Sequence, residues 1–258
     1  KTEEIFAPIA TTEGALVASL TRGCRALSLS GGVTARTIRQ KMSRVPMFEF
    51  ENIHDAVNFS EWIKTLLPDI QKQIKKYSNF SELSELDSKH LGRSVHVRFV
   101  YTTKDAAGQN MTTVCTANVC QWIVSEIRQR TNFRLRNFIL DGNVSCDKKA
   151  AWLSVNAGRG AEVIAEAIIK KDVLQQILKI DVASLVHLTS LSKSARLHTG
   201  VMGWNVNIAN VIAGIFAATG QDIASVHESS IGELHIEPQG EDLYVSMTMP
   251  SLIVGTVG

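Results

Sequence analysis

A length of 258 residues, with 45% hydrophobic and 20% charged side chains, fits a folded protein able to bury a full core in one large domain or two modest ones. The formal net charge of +2 is too small to mark a nucleic-acid surface. No apolar run approaches the ~20 residues of a bilayer span, and the charged start Lys1-Thr2-Glu3-Glu4, with no apolar stretch behind it, does not read as a signal peptide.

The chain opens with a piece over residues 5–44, in which Thr11-Thr12-Glu13-Gly14 leads into an apolar helix through Leu16, Val17 and Leu20. Met47-Phe48-Glu49-Phe50 reads as a short strand. Residues 55–77 follow as a helical stretch with Val57, Trp62, Ile63, Leu66, Leu67, Ile70 and Ile74 near i, i+3, i+4 spacing, broken once by Pro68. Strands are expected near 81–87 and 94–103, the second alternating Val95, Val97 and Phe99 against His96 and Arg98. A helix over about 110–130, striped by Val114, Ile123, Val124 and Ile127, and a strand over about 134–140 complete a β-α-β-β-α-β order, the split arrangement of a ferredoxin-like domain.

From Gly142 onward the pattern predicts a strand near 162–169, helices near 171–179 and 182–191, and a long buried helix over 205–219. A hairpin of 233–237 and 243–248, turned by Pro238-Gln239-Gly240, closes the chain. The fold class is therefore α+β. A larger mixed domain of residues 1–45 and 141–258 carries an inserted small domain of residues 46–140. Both ends look cut, the second at Gly255-Thr256-Val257-Gly258 directly after an apolar strand. Cys24, Cys115, Cys120 and Cys146 form no C-x-x-C and have no histidine at ligand spacing, so they read as buried, reduced thiols of a cytosolic protein with no metal site.

Four segments hold polar residues where core would be expected. They are Thr11-Thr12-Glu13-Gly14, the run Asp141-Gly142-Asn143 with Cys146-Asp147-Lys148-Lys149, the pair Asn207 and Asn210 one turn apart, and Gly220-Gln221-Asp222. Singly each has a plain reading: a helix cap with its acid, a solvated turn, asparagines satisfying backbone, a C-cap glycine.

Together, in this order, they resemble the 3-hydroxy-3-methylglutaryl-CoA (HMG-CoA) reductase family. Further matching segments are Arg22-Gly23-Cys24, Met42-Ser43-Arg44-Val45-Pro46, Gly158-Arg159-Gly160, Asp242-Leu243-Tyr244, Thr248-Met249-Pro250-Ser251 and the run from Val254 to Gly258. The resemblance implies a nicotinamide-dependent reduction of HMG-CoA to mevalonate and CoA by two hydride transfers. It assigns Lys148 as the cation facing the developing oxyanion, Glu13 as proton donor and Asp222 as the acid completing their network. Glu13 would need burial or a like charge to donate near neutral pH, and Asp222 is the candidate source. Arg44 matches the arginine that grips the HMG carboxylate, a task suited to a guanidinium fork, and Lys149 and Asn210 match other substrate-site residues; Lys193 matches another active-site lysine across a gap, and Arg22 matches a CoA-phosphate contact. Asp141 stands where the family has a substrate-pocket serine, and Asn207 where it has a histidine.

For the cofactor, NADPH with NADH as the alternative, the resemblance points to the glycine turn at Asp105, Gly108 and Asn110, ahead of a helix. It also points to Ser78-Asn79-Phe80, where Asn79 replaces an arginine and removes a partner for a 2′-phosphate. The family's catalytic histidine is expected beyond Gly258; His198, His227 and His235 stand outside its motif and read as structural. The resemblance further implies HMG-CoA and CoA as partners, a homo-oligomer with sites at subunit interfaces, and a cytoplasmic location, with no nucleic-acid or membrane contact from this segment. The alternative is a weakened relative that binds CoA thioesters or inhibitors without turnover.

Overall fold

The computed structural model describes residues 4–256, so Lys1, Thr2, Glu3, Val257 and Gly258 lie outside the described residues. The chain is a mixed helix-and-sheet protein that divides into two compact units. One joins the residues up to Arg39 to Lys148–Val254; the other joins Gln40–Asp147 to the stretch from Gly255. The joints fall at Arg39/Gln40 and Asp147/Lys148, where the sequence had suggested 45/46 and 140/141.

Helix α1 (Gly14–Leu29) opens the chain and strand β1 (Thr34–Arg44) follows, a strand the sequence pattern did not announce. The elements of the inserted unit are β2 (Met47–Phe50), α2 (Ile53–Thr65), α3 (Leu67–Lys75), β3 (Glu82–Leu91), β4 (Ser94–Thr102), α4 (Gln109–Arg130) and β5 (Leu135–Ile139). Asn52 caps α2 by accepting the Asp55 N–H at 2.8 Å. Pro68 falls in the first turn of α3, where its missing N–H costs nothing, so the predicted break becomes a helix start.

Strands run in the order β5-β2-β4-β3, antiparallel throughout, and the end of β1 pairs with β4 at Met42–Tyr101. As the central strand, β4 is covered on both faces; His96 is buried, not solvent-facing as its alternation with Val95 and Val97 had suggested. The buried stripe of α4 also differs from the expected one. Thr112, Cys115, Thr116, Val119, Cys120, Ile123 and Ile127 face inward, while Val114 is exposed. The Tyr101 hydroxyl and Thr116 Oγ1, 2.7 Å apart, satisfy each other inside this core.

In the other unit come α5 (Trp152–Ala157), β6 (Gly160–Ile169), α6 (Lys171–Val173) running into a π-helical turn, α7 (Val182–Thr199), α8 (Ile208–Thr219), a 3-10 turn (Ile223–Ser225), α9 (Val226–Ser229), β7 (Glu233–Gln239) and β8 (Asp242–Leu252). Strand β8 pairs antiparallel with both β6 and β7. The hairpin turns at Gly240-Glu241, so Pro238 and Gln239 belong to β7.

Helix α8 corrects two expectations. It starts at Ile208 with Asn207 outside it in the N-cap position, so Asn207 and Asn210 do not share a helical face. It is also only partly buried, with Gly214 and Phe216 inside and Asn210, Ala217 and Ala218 exposed. The expected set of buried thiols holds for Cys115 and Cys120 alone; Cys24 is exposed and Cys146 half-buried, and all four are free.

Candidate active site

Helix α8 is the frame for one set of site residues. The Ala10 N–H donates to the Gly214 carbonyl at 2.9 Å, and a Cβ on Gly214 would collide with Ile9. Glycine there lets the extended run into Glu13 lie against the helix. Glu13 itself occupies the N-cap position of α1, where its own N–H donates to Thr11 Oγ1 at 3.1 Å. At the far end of α8, Gly220 adopts φ 70° and reverses the chain, which delivers Asp222 as the cap of the 3-10 turn. Asp222 accepts from the Ala224 N–H and the Ser225 hydroxyl, both at 3.2 Å.

Lys148 meets this segment twice. Its Nζ stands 3.0 Å from Asp222 Oδ2, with both side chains partly exposed, and its backbone N–H donates to Glu228 Oε1 at 3.0 Å. Glu228 in turn is gripped by Arg159, whose Nε and Nη2 approach the carboxylate at 2.9 and 2.5 Å. Both of those side chains are 1% exposed. Neither was singled out from the sequence as a site residue, Arg159 being quoted only within the matching segment Gly158-Arg159-Gly160.

The structure brings Lys148 and Asp222 together but does not add Glu13. That side chain is exposed and makes no hydrogen bond or ion pair to either among the described residues, so the burial expected to tune it is absent here. Asn210, Arg22 and Lys149 are exposed. Lys193 Nζ is 3.7 Å from Glu233 and 5.2 Å above the Trp204 ring, beside the Arg196–Glu233 ion pair. His198 and His227 are exposed, and His235 pairs with Glu237 at 3.2 Å.

The second set belongs to the inserted unit. Arg44 was expected to offer a guanidinium fork to a substrate carboxylate. Instead it is buried with each nitrogen engaged: Nε on Thr113 Oγ1 at 2.7 Å, Nη1 on Asp147 Oδ2 at 3.2 Å and Nη2 on the Gln109 carbonyl at 2.7 Å. It ties β1, the first turn of α4 and the 147 turn into one piece. Asp141 serves its own turn by accepting from the Asn143 N–H at 2.8 Å and the Ser145 hydroxyl at 3.2 Å.

Gly108 sits at φ 80° as the N-cap of α4, with no side chain capping the helix, and a Cβ there would strike Thr103. Asp105 presents its carbonyl to the Thr256 N–H at 2.9 Å, and Asn110 is exposed in the first helical turn. Ser78 is occupied, since its Oγ accepts from the Phe80 and Ser81 N–H groups at 3.1 Å. Asn79 and Phe80 are exposed, and Lys104 Nζ lies 5.3 Å above the Phe80 ring.

The family model for hydroxymethylglutaryl-coenzyme A reductase matches residues 1–258. The chain belongs to that family. It is 37% identical over 257 residues to the 3-hydroxy-3-methylglutaryl-coenzyme A reductase of Aeropyrum pernix, covering 99% of this chain and 60% of that protein. The Schistosoma mansoni reductase is 38% identical over 98% of this chain and 27% of its own length. The chain thus spans about 60% of the length of several of the HMG-CoA reductases it matches. Among solved structures, the class II reductase of Streptococcus pneumoniae bound to NADPH superposes with a TM-score of 0.73 at 20% identity, over 99% of this chain and 69% of that one. At that identity the likeness speaks for the fold alone.

Proposed function

We propose that the full-length protein is an HMG-CoA reductase, an oxidoreductase that reduces HMG-CoA with two hydrides from NADPH to give mevalonate, CoA and two NADP⁺. The observation that carries this is the Lys148–Asp222 pair at 3.0 Å, a partly exposed ammonium held beside a carboxylate on a defined turn. Each hydride delivered to the thioester or aldehyde carbon places charge on the carbonyl oxygen, and an ammonium fixed there lowers the barrier. Glu13 is assigned as the acid that protonates the product oxygen. Arg44, Lys149, Asn210, Lys193, Arg22 and Asp141 are assigned to the substrate side. For Arg44, direct substrate contact requires the guanidinium to exchange Asp147, Thr113 or Gln109 for the ligand.

NADPH supplies the hydrides, and we assign it to the inserted unit at Asp105, Gly108 and Asn110. The donor set there fits a pyrophosphate: a 22-residue helix begins at a glycine, no side chain caps it, and the dipole favours an anion. Ser78 shapes the neighbouring turn, and Asn79 and Phe80 offer exposed surface for the adenosine end. The Lys104 ammonium over Phe80 is a cation available beside Asn79. NADH remains the competing cofactor.

Exposed Leu188, Leu191, Leu197, Val201 and Val206 on and after α7 support a homo-oligomer. No helix among the described residues is long and apolar enough to cross a membrane. Four free cysteines suit the cytoplasm. A relative that binds without turnover gains nothing from an intact Lys148–Asp222 pair. Lys148→Ala in the full-length protein is expected to lower kcat on the order of 10²–10³-fold with KM nearly constant, followed by cofactor absorbance. Turnover within a few-fold of wild type would remove Lys148 from the oxyanion role.

A further inference from the structure

Lys148 stands at φ 57°, a left-handed conformation that a residue with a Cβ holds only when its surroundings enforce it. Asn143 and Cys146, shortly before it, are left-handed too, at φ 64° and 54°. The partner that holds the Lys148 peptide is Glu228. Its Oε1 accepts the Lys148 N–H at 3.0 Å, and its two oxygens also take the Arg159 Nε at 2.9 Å and Nη2 at 2.5 Å. Glu228 lies on α9, and the next residue, Ser229, accepts the Ile253 N–H at 3.0 Å and so fastens α9 to the end of β8.

The same short stretch of chain, 222–228, therefore touches Lys148 at both ends: Asp222 at the ammonium, Glu228 at the backbone. An ion pair between half-exposed groups orients a long flexible side chain only weakly. Anchoring the peptide fixes the point and direction from which the side chain departs, which the ion pair alone does not do. The burial of Glu228 and Arg159 fits such a task better than a stabilising one. A fully desolvated ion pair is often no more stable than apolar residues of the same volume, whereas it fixes its acceptor oxygens in direction.

We propose that Glu228, oriented by Arg159, is a positioning residue that sets the Lys148 backbone so that its ammonium reaches the reacting oxygen. This rests on the oxyanion role given to Lys148 above. Removing Glu228 alone would strand a buried guanidinium and risk unfolding. The decisive comparison is therefore between two paired variants of the full-length protein, Arg159→Met with Glu228→Gln and Arg159→Met with Glu228→Met. Both remove the charges at similar volume, but only glutamine can accept the Lys148 N–H.

The methionine pair is expected to have a kcat about ten- to a hundredfold below the glutamine pair, with KM within a few-fold. That gap should vanish when Lys148 is alanine, because the effect passes through Lys148. Equal kcat in the two pairs, or a gap that persists without Lys148, overturns the proposal. Hydrogen exchange adds a readout independent of turnover. The wild-type Lys148 amide should exchange slowly, and fast exchange at the rate of open loop amides would overturn the contact even if neither variant folds. A wild-type protein inactive toward HMG-CoA but protected at Lys148 would sink the assigned reaction while leaving Glu228 as the residue that holds this backbone.

Discussion

The two units are built on different interiors. In the inserted unit Phe48 and Phe50 each place their ring centroids 4.9 Å from Phe59, inside a continuous apolar cluster that extends through β4 and α4. In the other, the apolar cluster centres on Ile169, Leu174 and Leu243, and the most deeply enclosed side chains include the Arg159–Glu228 pair. Apolar groups on its α7 stay exposed, Leu191 at 57% and Leu197 at 80%. The inserted unit draws its order from non-directional packing. The unit that carries Lys148 places directional polar contacts at its centre, where orientation counts for more than burial.

The contrast is sharpest in stability. Phe59→Ala should cost about 3–5 kcal/mol, the usual range for emptying an aromatic site in a close-packed core. Leu191→Ala should stay within about 0.5 kcal/mol. Chemical denaturation followed by circular dichroism, at a protein concentration low enough to dissociate an oligomer, separates the two, and equal costs would mean that α7 packs within its own chain as tightly as the inserted core. Cofactor choice should respond less. Removing Lys104 by Lys104→Ala is expected to lower the kcat/KM ratio of NADPH to NADH roughly fivefold, the worth of an exposed ion pair, and Asn79→Arg to raise it. Ratios that do not move would place the reading of the 2′-phosphate elsewhere.

Thiol chemistry probes the same division. Burial raises the pKa of both Cys115 and Cys120, and they lie inside the inserted unit's core, whereas Cys24 is exposed on α1. Native alkylation read by mass spectrometry should mark Cys24 and spare the other two until denaturant is added. Early labelling of Cys120 would show that the packed core opens easily.

The smallest effect concerns His96, whose pKa is lowered below the usual 6.5 first by burial and then by the charge of Lys89. Its Nδ1 has no hydrogen-bond partner among the described residues. With the folded pKa below the unfolded one, the unfolded chain binds more protons between the two values. The stability contribution is therefore complete above about pH 6.5 and declines as pH falls toward the folded pKa. The melting temperature should drop less between pH 7.5 and pH 5 in His96→Gln than in wild type; an identical drop would mean His96 does not contribute.

What the sequence made legible follows from the same physics. The apolar stripe across α2 and α3 could be read directly, though as one stretch over 55–77 that begins after the Asn52 cap. Strand β1 could not, because Thr34, Arg36, Arg39, Lys41 and Arg44 break any alternation, and its first half is exposed. The inward face of α4 was misplaced because threonine and cysteine line it while Val114 points out. Helix α8 looked buried because it is apolar, yet apolarity shows a surface that avoids water and not what covers it. Lys148 and Asp222 stood out through the family pattern. Arg159 stood in the matching segment Gly158-Arg159-Gly160 and Glu228, 69 residues on, in none, and only the folded chain shows that they pair.

The insertion also sets a timetable. Arg39 pairs with Glu162, 123 residues later, while the rest of β1 finds β4 much sooner. At ribosomal rates of about 5–20 residues per second, α1 and the start of β1 wait on the order of 6–25 s for β6 to be made. By the end of that interval the inserted unit has nearly all of its chain. Strand β1 therefore meets the partner of Met42–Arg44 before the partner of Arg39, and the unit carrying Lys148 is the later of the two to have most of its chain.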